Sequence, residues 1–187
     1  MFIDRVSILE YLQENKPNGI GVEIGVAGGY FSKNIVRYWK NFSHLYLVDL
    51  WRHQESGYND GCNLPDEKQE ERYLDVKKYF DTKFNNVTTI REWSHLAAET
   101  FPDNFFDFVY IDANHSYLGC KKDLESWYPK VKIGGIFAGH DYAIGPEDRY
   151  CAKKAVDEFF TNHTVMQTNL QMDRDNNWEG ISWIVIK

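Results

Sequence analysis

Apolar residues gather along this chain in short, nearly unbroken runs at about 20–26, 44–50, 87–91, 106–112 and 134–141. Each run is rich in β-branched or aromatic side chains and bounded by turn residues, which predicts five strands. Between them apolar positions recur with helical spacing, at about 32–41, 68–83, 93–100 and 117–128, and again at about 150–162. A short amphipathic helix over Ser7 to Glu14 precedes the first strand and is stopped by Pro17 and Gly19. Strands apolar on both faces and separated by helices predict a parallel sheet with both sides covered. The end of the chain departs from this rhythm. Strand-like runs at about 164–171 and 181–187 are joined only by the turn-rich DRDNNWEG, so they are expected to be antiparallel. The expected fold class is α/β, a doubly wound sheet of about seven strands, mostly parallel with an antiparallel C-terminal pair.

A chain of 187 residues fits one domain, 1–187, with the N-terminal helix inside 1–18. Residues 51–66, WRHQESGYNDGCNLPD, interrupt the pattern with a long polar loop. Together with the following helix this makes an insertion over 51–84 at the carboxyl edge of the sheet, where open α/β sheets bind ligands. It is either a lid or acceptor loop, or a surface insertion.

Candidate chemistry begins at the first strand. The run GIGVEIGVAGGYFS carries Glu23, then Gly25, Gly28 and Gly29, then a helix start with Ser32 in its first turn. A strand that turns into a helix through glycines exposes main-chain N–H groups to a ligand. About twenty residues on, HLYLVDL delivers Asp49 at a strand's carboxyl end, a place suited to ribose hydroxyls. The pair points to a nucleoside-containing cofactor. Dinucleotide folds want G-x-G-x-x-G at this turn, whereas here the first glycine is replaced by Glu23. A carboxylate repels a pyrophosphate and attracts a sulfonium or ammonium, which favours S-adenosylmethionine over NAD.

Charge narrows the partners. The formal net charge is -7 and no Lys/Arg cluster tracks a phosphate backbone, so nucleic acid is a poor partner. No run approaches the ~20 apolar residues of a membrane helix. The N-terminus lacks a signal-peptide core, and a cytoplasmic location is expected. Cys62, Cys120 and Cys151 are scattered and expected to be reduced.

A second cluster lies further along. FDFVYID ends in Asp112 and continues into ANHSY, and GGIFAGHDY ends in His140, Asp141 and Tyr142. In a doubly wound order strands one, four and five are neighbours, so these groups should converge on the edge that carries Gly25 and Asp49. Two acids and two histidines there can bind a divalent metal, perform acid–base work, or both.

The segments VEIGVAGGYFS, LYLVDLW, FDFVYIDANHSY, KKDLESWYPKVKIGG and AGHDY resemble class I S-adenosylmethionine-dependent methyltransferases. More narrowly they are similar to the small bacterial O-methyltransferases related to macrocin-type and cephalosporin-hydroxylase-like enzymes. The resemblance covers residues 20 to 142 and implies a Rossmann-like fold. It also implies roles. Glu23 and the turn from Gly25 through Gly28 to Gly29 would hold the methionine part, with Ser32 capping the next helix or touching the carboxylate. Asp49 would take the ribose hydroxyls, with Leu50 and Trp51 beside the adenine and Ser94 contacting it. Asp112 would lie near the sulfonium. His115 is the implied general base, and His115 and Asp141 are the expected catalytic pair.

Metal-dependent relatives place an acid after strand four and two acids after strand five, which maps onto Asp112, His140 and Asp141. Magnesium prefers oxygen donors, so the histidine leaves manganese, iron or no metal open. Neighbouring residues of a strand point to opposite faces, so only a turn at the strand end would aim both His140 and Asp141 at one ion. Blander readings accompany these. Asp112 can cap the next segment, His115 can hold the 112–117 turn, and His140 can lock a loop. Trp39, Trp93, Trp127, Trp178 and Trp183 can all be packing. Lys121, Lys122 and Asp123 can be a solvated helix face. The expected reaction is O-methylation of a small hydroxylated acceptor such as a sugar or glycan precursor. A homo-oligomer is compatible with this. The alternatives are a non-catalytic cofactor-binding scaffold and a dinucleotide oxidoreductase.

Overall fold

Seven strands form one sheet in the order β3-β2-β1-β4-β5-β7-β6. The computed structural model describes residues 2–55, 58, 60–145, 151–169 and 180–187. In chain order the elements are α1 (Arg5–Asn15), β1 (Ile20–Ile24), α2 (Tyr30–Tyr38), β2 (His44–Asp49), α3 (Asp66–Lys83), β3 (Val87–Arg91) and α4 (Ser94–Glu99). They continue with β4 (Phe106–Ile111), α5 (Tyr117–Trp127), β5 (Val131–Gly139), α6 (Ala152–Phe159), β6 (Met166–Gln167) and β7 (Trp183–Ile186). Strands β1 to β5 are parallel, while β7 pairs antiparallel with both β5 and β6. This is the α/β class the apolar runs predict. The segment 170–179, which holds Trp178 and most of the expected C-terminal turn, lies outside the described residues.

Alternation along the strands builds two cores. Phe108, Tyr110 and Ile184 pack on one face with Leu9 and Leu12 of α1, Ile35 of α2 and Phe80 of α3. Val109, Ile111 and Val185 face the other way, against Ala97 of α4, Leu124 and Trp127 of α5 and Val156 of α6. Trp39, Trp127 and Trp183 are fully or almost fully buried, as packing residues should be, whereas Trp93 is 43% exposed.

Three of the boundaries that differ from the sequence pattern have a clear local reason. Helix α1 starts at Arg5 because the Asp4 carboxylate accepts the Ser7 N–H at 2.7 Å and the Ser7 side chain returns a bond to the Asp4 main chain. Strand β5 starts earlier, at Val131, and the register against β4 shifts around Gly134, whose φ is +73°. It also stops at Gly139, so His140 and Asp141 lie beyond the strand rather than in it.

Asp4 fixes the first turn of α1 and hence Arg5. Asp4→Ala is expected to lower unfolding stability by about 1 kcal/mol, read as a shifted midpoint in urea at unchanged slope.

Candidate active site

The carboxyl ends of β1, β2 and β4 meet in one tight main-chain junction. Gly25 N–H donates to the Val48 carbonyl at 2.8 Å, and Asp112 N–H donates to the Ile24 carbonyl at 2.7 Å. Gly25 has φ +88°, and a Cβ there would fall 1.9 Å from the Asp112 carbonyl oxygen, so only glycine fits. At Gly28 a Cβ would meet nothing within 4 Å, which leaves the turn open to a ligand. Asp49 holds this turn from below. Its Oδ2 accepts the N–H groups of Val26 and Ala27, each at 2.8 Å, and its Oδ1 accepts that of Trp51 at 2.8 Å. Burial pushes the Asp49 carboxyl above its ordinary value, and these three N–H groups oppose it. Ala27 and Trp51 sit at φ +47° and +42°, an uncommon conformation that the Asp49 bridge stabilises.

Above the junction lies a cavity of about 540 Å³, inside the range of roughly 300–1,000 Å³ usual for small-ligand sites. Glu23, Gly25, Gly28, Asp49, Leu50, Ser94, Asp112 and His115, all singled out in the sequence, line it. Four expected contacts are placed elsewhere. The Trp51 ring is fully buried, packs on Tyr73 and donates to the Ala27 carbonyl at 2.9 Å. It lies under the turn instead of beside a base, because the positive φ at Trp51 directs its side chain inward. Gly29 caps α2 at φ +75°, and Ser32 is buried with its hydroxyl donating to Glu23, so neither is a cavity wall. Asp141 stands behind His115 and does not line the cavity either.

Glu23 corrects a second expectation. Burial carries its carboxyl from 4.5 up to about 8, with Ser32 opposing and Asp112 adding to the rise. At neutral pH it is therefore a neutral acid, not the carboxylate that the sequence argument assumed.

The second cluster converges as expected, with different partners. His115 Nε2 lies 3.2 Å from Asp112 Oδ1, and its Nδ1 lies 3.2 Å from Asp141 Oδ2 and 3.5 Å from Asp60 Oδ2. Asp141 takes φ +50°, and this one left-handed residue turns its carboxylate back toward His115. That is the turn at the strand end which alternation demanded. The ligand atoms of Asp112, His115 and Asp141 lie within 4.8 Å of one another, a geometry that suits a divalent cation. His115 thus stands where the sequence put His140. His140 Nδ1 flanks the group, 3.3 Å from Asp141 Oδ1 and 3.6 Å from Asp112 Oδ1. Its Nε2 is buried without a hydrogen-bond partner among the described residues.

Burial alone would lower the pKa of His115, but bonds to Asp112 and Asp60 and the charges of Asp112 and Asp141 carry it well above its ordinary value. The carboxylates thus favour the protonated ring. Burial would raise Asp112, yet the charges and bonds of His140, His115 and Arg5 bring it down to about 2.

Three wall or cluster residues escaped sequence reasoning. Arg5 is buried in α1, lines the cavity, and sits 3.8 Å from Asp112 Oδ2 with its guanidinium 4.7 Å from the Phe31 ring centroid. A charge on the apolar stripe of that helix, in line with Leu9 and Leu12, was the available signal. Asp60 comes from the polar loop. Asp123, expected on a solvated face, is 5% exposed and lines the cavity. Its spacing with Cys120, Leu124 and Trp127 marks the buried stripe of α5.

Glu23 sets a pH dependence with a definite sign. Between about 4.5 and 8 the folded chain keeps a proton that the unfolded chain has released, so this contribution to stability falls as pH rises. Glu23→Gln removes it. The stability of the native chain relative to this variant is expected to decline from pH 5 to pH 8, by at most about 1.4 kcal/mol per unit, in urea titrations.

The methyltransferase-domain family model matches residues 22–142. No match to a curated protein is found. Among solved structures, the O-methyltransferase NovP superposes with a TM-score of 0.63 at 19% identity, covering 96% of this chain and 78% of that one. An O-methyltransferase from Bacillus cereus, in complex with SAH, gives 0.57 at 14% identity, covering 98% and 80%. A Clostridium thermocellum protein provisionally described as an rRNA methylase gives 0.67 at 14% identity, covering 100% and 98%. At these identities the likeness is one of fold. With a family match over more than half its length, the chain belongs to the methyltransferase-domain family and is a class I S-adenosylmethionine-dependent methyltransferase.

Proposed function

We propose that this chain methylates an oxygen of a small hydroxylated acceptor, of which a sugar or glycan precursor is the leading class, with a divalent cation at Asp112, His115 and Asp141. The observation that carries this is the close set of three ligand groups beside a cavity wall of the donor site. S-Adenosylmethionine supplies a methyl group on a cationic sulfur, which an in-line nucleophile displaces. A magnesium or manganese ion would supply charge that lowers the pKa of an acceptor hydroxyl.

The chain's own residues then have these tasks. The N–H groups and open face of the Gly25–Gly29 turn receive the methionine part, with Glu23 below it. A cationic ammonium or sulfonium beside Glu23 favours its ionised form, so binding is coupled to loss of the Glu23 proton. Asp49 keeps a lone pair for a ribose hydroxyl beyond the three it gives to main-chain N–H groups. Leu50 and Ser94 line the base end. His115 is held in one orientation by Asp112 on one nitrogen and Asp141 on the other. Once the charge of these carboxylates is compensated, the ring is a neutral group able to ligate or to receive a proton. Arg5, between Asp112 and the aromatic rings of Phe31 and Tyr30, fixes the position of the Asp112 carboxylate.

The net charge of -7 supports a small acceptor over a polynucleotide. The polar loop over 51–66 brings Asp60 to the cluster and suits a hydroxylated ligand. No helix among the described residues is long and apolar enough to cross a membrane.

A thermal-shift titration with Mn²⁺ or Mg²⁺ tests the cation site without knowledge of the acceptor. The native chain is expected to gain several degrees, and Asp112→Asn and Asp141→Asn to gain little. With a hydroxylated acceptor panel and detection of S-adenosylhomocysteine, His115→Ala is expected to lose about 10²–10⁴ in kcat. Equal metal response in all three proteins, or full turnover by His115→Ala, contradicts the proposal.

A further inference from the structure

We infer that Gly180, which precedes β7, is a positioning residue for the cation group: its main chain walls in the Asp141 carboxylate, and the lack of a side chain there leaves that carboxylate free to meet Asp112 and His115. This rests on the cation reading above, and Gly180 itself belongs neither to the cavity wall nor to the three ligand groups.

A Cβ built on Gly180 would fall 2.6 Å from Asp141 Oδ1, 3.1 Å from His140 Cε1 and 3.5 Å from His140 Nε2. The first of these is closer than any ordinary carbon contact, so a methyl group at 180 and the present Asp141 carboxylate exclude each other. The chain at Gly180 thus lies directly against both side chains that follow β5. Asp141 Oδ1, under Gly180, is 3.3 Å from His140 Nδ1, and Asp141 Oδ2 is 3.2 Å from His115 Nδ1. One oxygen is set against the wall, and the other faces the cation group.

The main chain around Asp141 is pinned from several sides. His140 N–H donates to the Ile111 carbonyl at 2.9 Å, Tyr142 N–H to the Ile181 carbonyl at 2.8 Å, and Lys153 N–H to the Ala143 carbonyl at 3.2 Å. The Tyr142 hydroxyl donates to Asp157 and accepts from Lys153 Nζ at 3.1 Å, which fastens this turn to α6. The bond to Ile181 joins the turn to the residue next to Gly180, so the spacing of the two segments is set. Within this frame Asp141 keeps φ +50°, a conformation that persists only where its surroundings over-determine it. The carboxylate is the part left to move, by rotation about its side-chain bonds. A methyl group at 180 would therefore turn the Asp141 carboxylate away and leave the fold in place. Residues that orient metal ligands without touching the metal contribute about 10–100-fold to its affinity.

The experiment is calorimetric titration of the whole native chain and of Gly180→Ala with Mn²⁺ alone and, separately, with S-adenosylhomocysteine, beside urea unfolding of both proteins. The native chain is expected to bind Mn²⁺, and Gly180→Ala to bind it about 10–100-fold more weakly. The affinity of Gly180→Ala for S-adenosylhomocysteine and its urea midpoint are expected to stay close to native. A glycine needed only for the fold would show the reverse, a lowered midpoint with Mn²⁺ affinity kept. Equal Mn²⁺ affinity in the two proteins overturns the inference. So does a Gly180→Ala chain that fails to fold or loses both ligands together, because the expected shift is confined to one carboxylate. A native chain that binds no Mn²⁺ overturns the cation reading itself, and this inference with it.

Discussion

The site depends on the close approach of Gly25 to the main chain at Asp112. With φ at +88° and no room for a Cβ, this one residue lets the turn after β1 lie directly against the end of β4. Everything chemically useful then falls on one edge of the sheet. Asp49 reaches across from β2 and ties down the turn with three main-chain N–H groups. The open face at Gly28 and the carboxylate of Asp112 become neighbours in one cavity. A larger residue at position 25 would part β1 from β4 and dissolve both halves of the site together.

Burial and charge act in opposite directions on the acids of this edge, and their balance assigns the roles. At Glu23 and Asp123 the loss of water outweighs the Ser32 and Ser94 hydrogen bonds and the nearby positive charges, so their carboxyls rise to about 8 and about 6. Asp112 is equally buried but faces His140, His115 and Arg5, and it falls to about 2. At neutral pH Glu23 is then mainly protonated, whereas Asp123 is mainly ionised, and both line the cavity. The fixed negative charge of Asp112 lies beside the glycine turn, on the wall of the same cavity. His115 faces carboxylates at both ring nitrogens, which raise its pKa well above the ordinary value against the effect of burial.

Much of this was legible in the sequence because it sits at strand ends. Asp49 and Asp112 terminate apolar runs, and a parallel sheet must bring such ends to one edge. The glycine pattern after Glu23 marks the turn for the same reason. Less visible were residues whose function depends on which way a side chain points. Trp51 looked like a base-side aromatic, and its positive φ turns it into the core instead. Asp141 adopts a left-handed conformation, which no composition rule foretells at an aspartate, and its carboxylate groups with Asp112 and His115, with His140 flanking. Arg5, Asp60 and Asp123 come from a helix stripe, a loop and a second helix stripe. Their approach to the site is fixed by packing between elements distant in the chain.

The central claim is one of direction: the ligand's sulfur faces Asp112 and His115, and its base faces Ser94. A crystal structure of the chain with bound S-adenosylhomocysteine measures this most directly. The account predicts the homocysteine along the turn from Gly25 to Gly29, the ribose hydroxyls at Asp49, and the base between Leu50 and Ser94. A ligand lying the other way round, or one seated outside the cavity with the turn closed over Asp112, would contradict it.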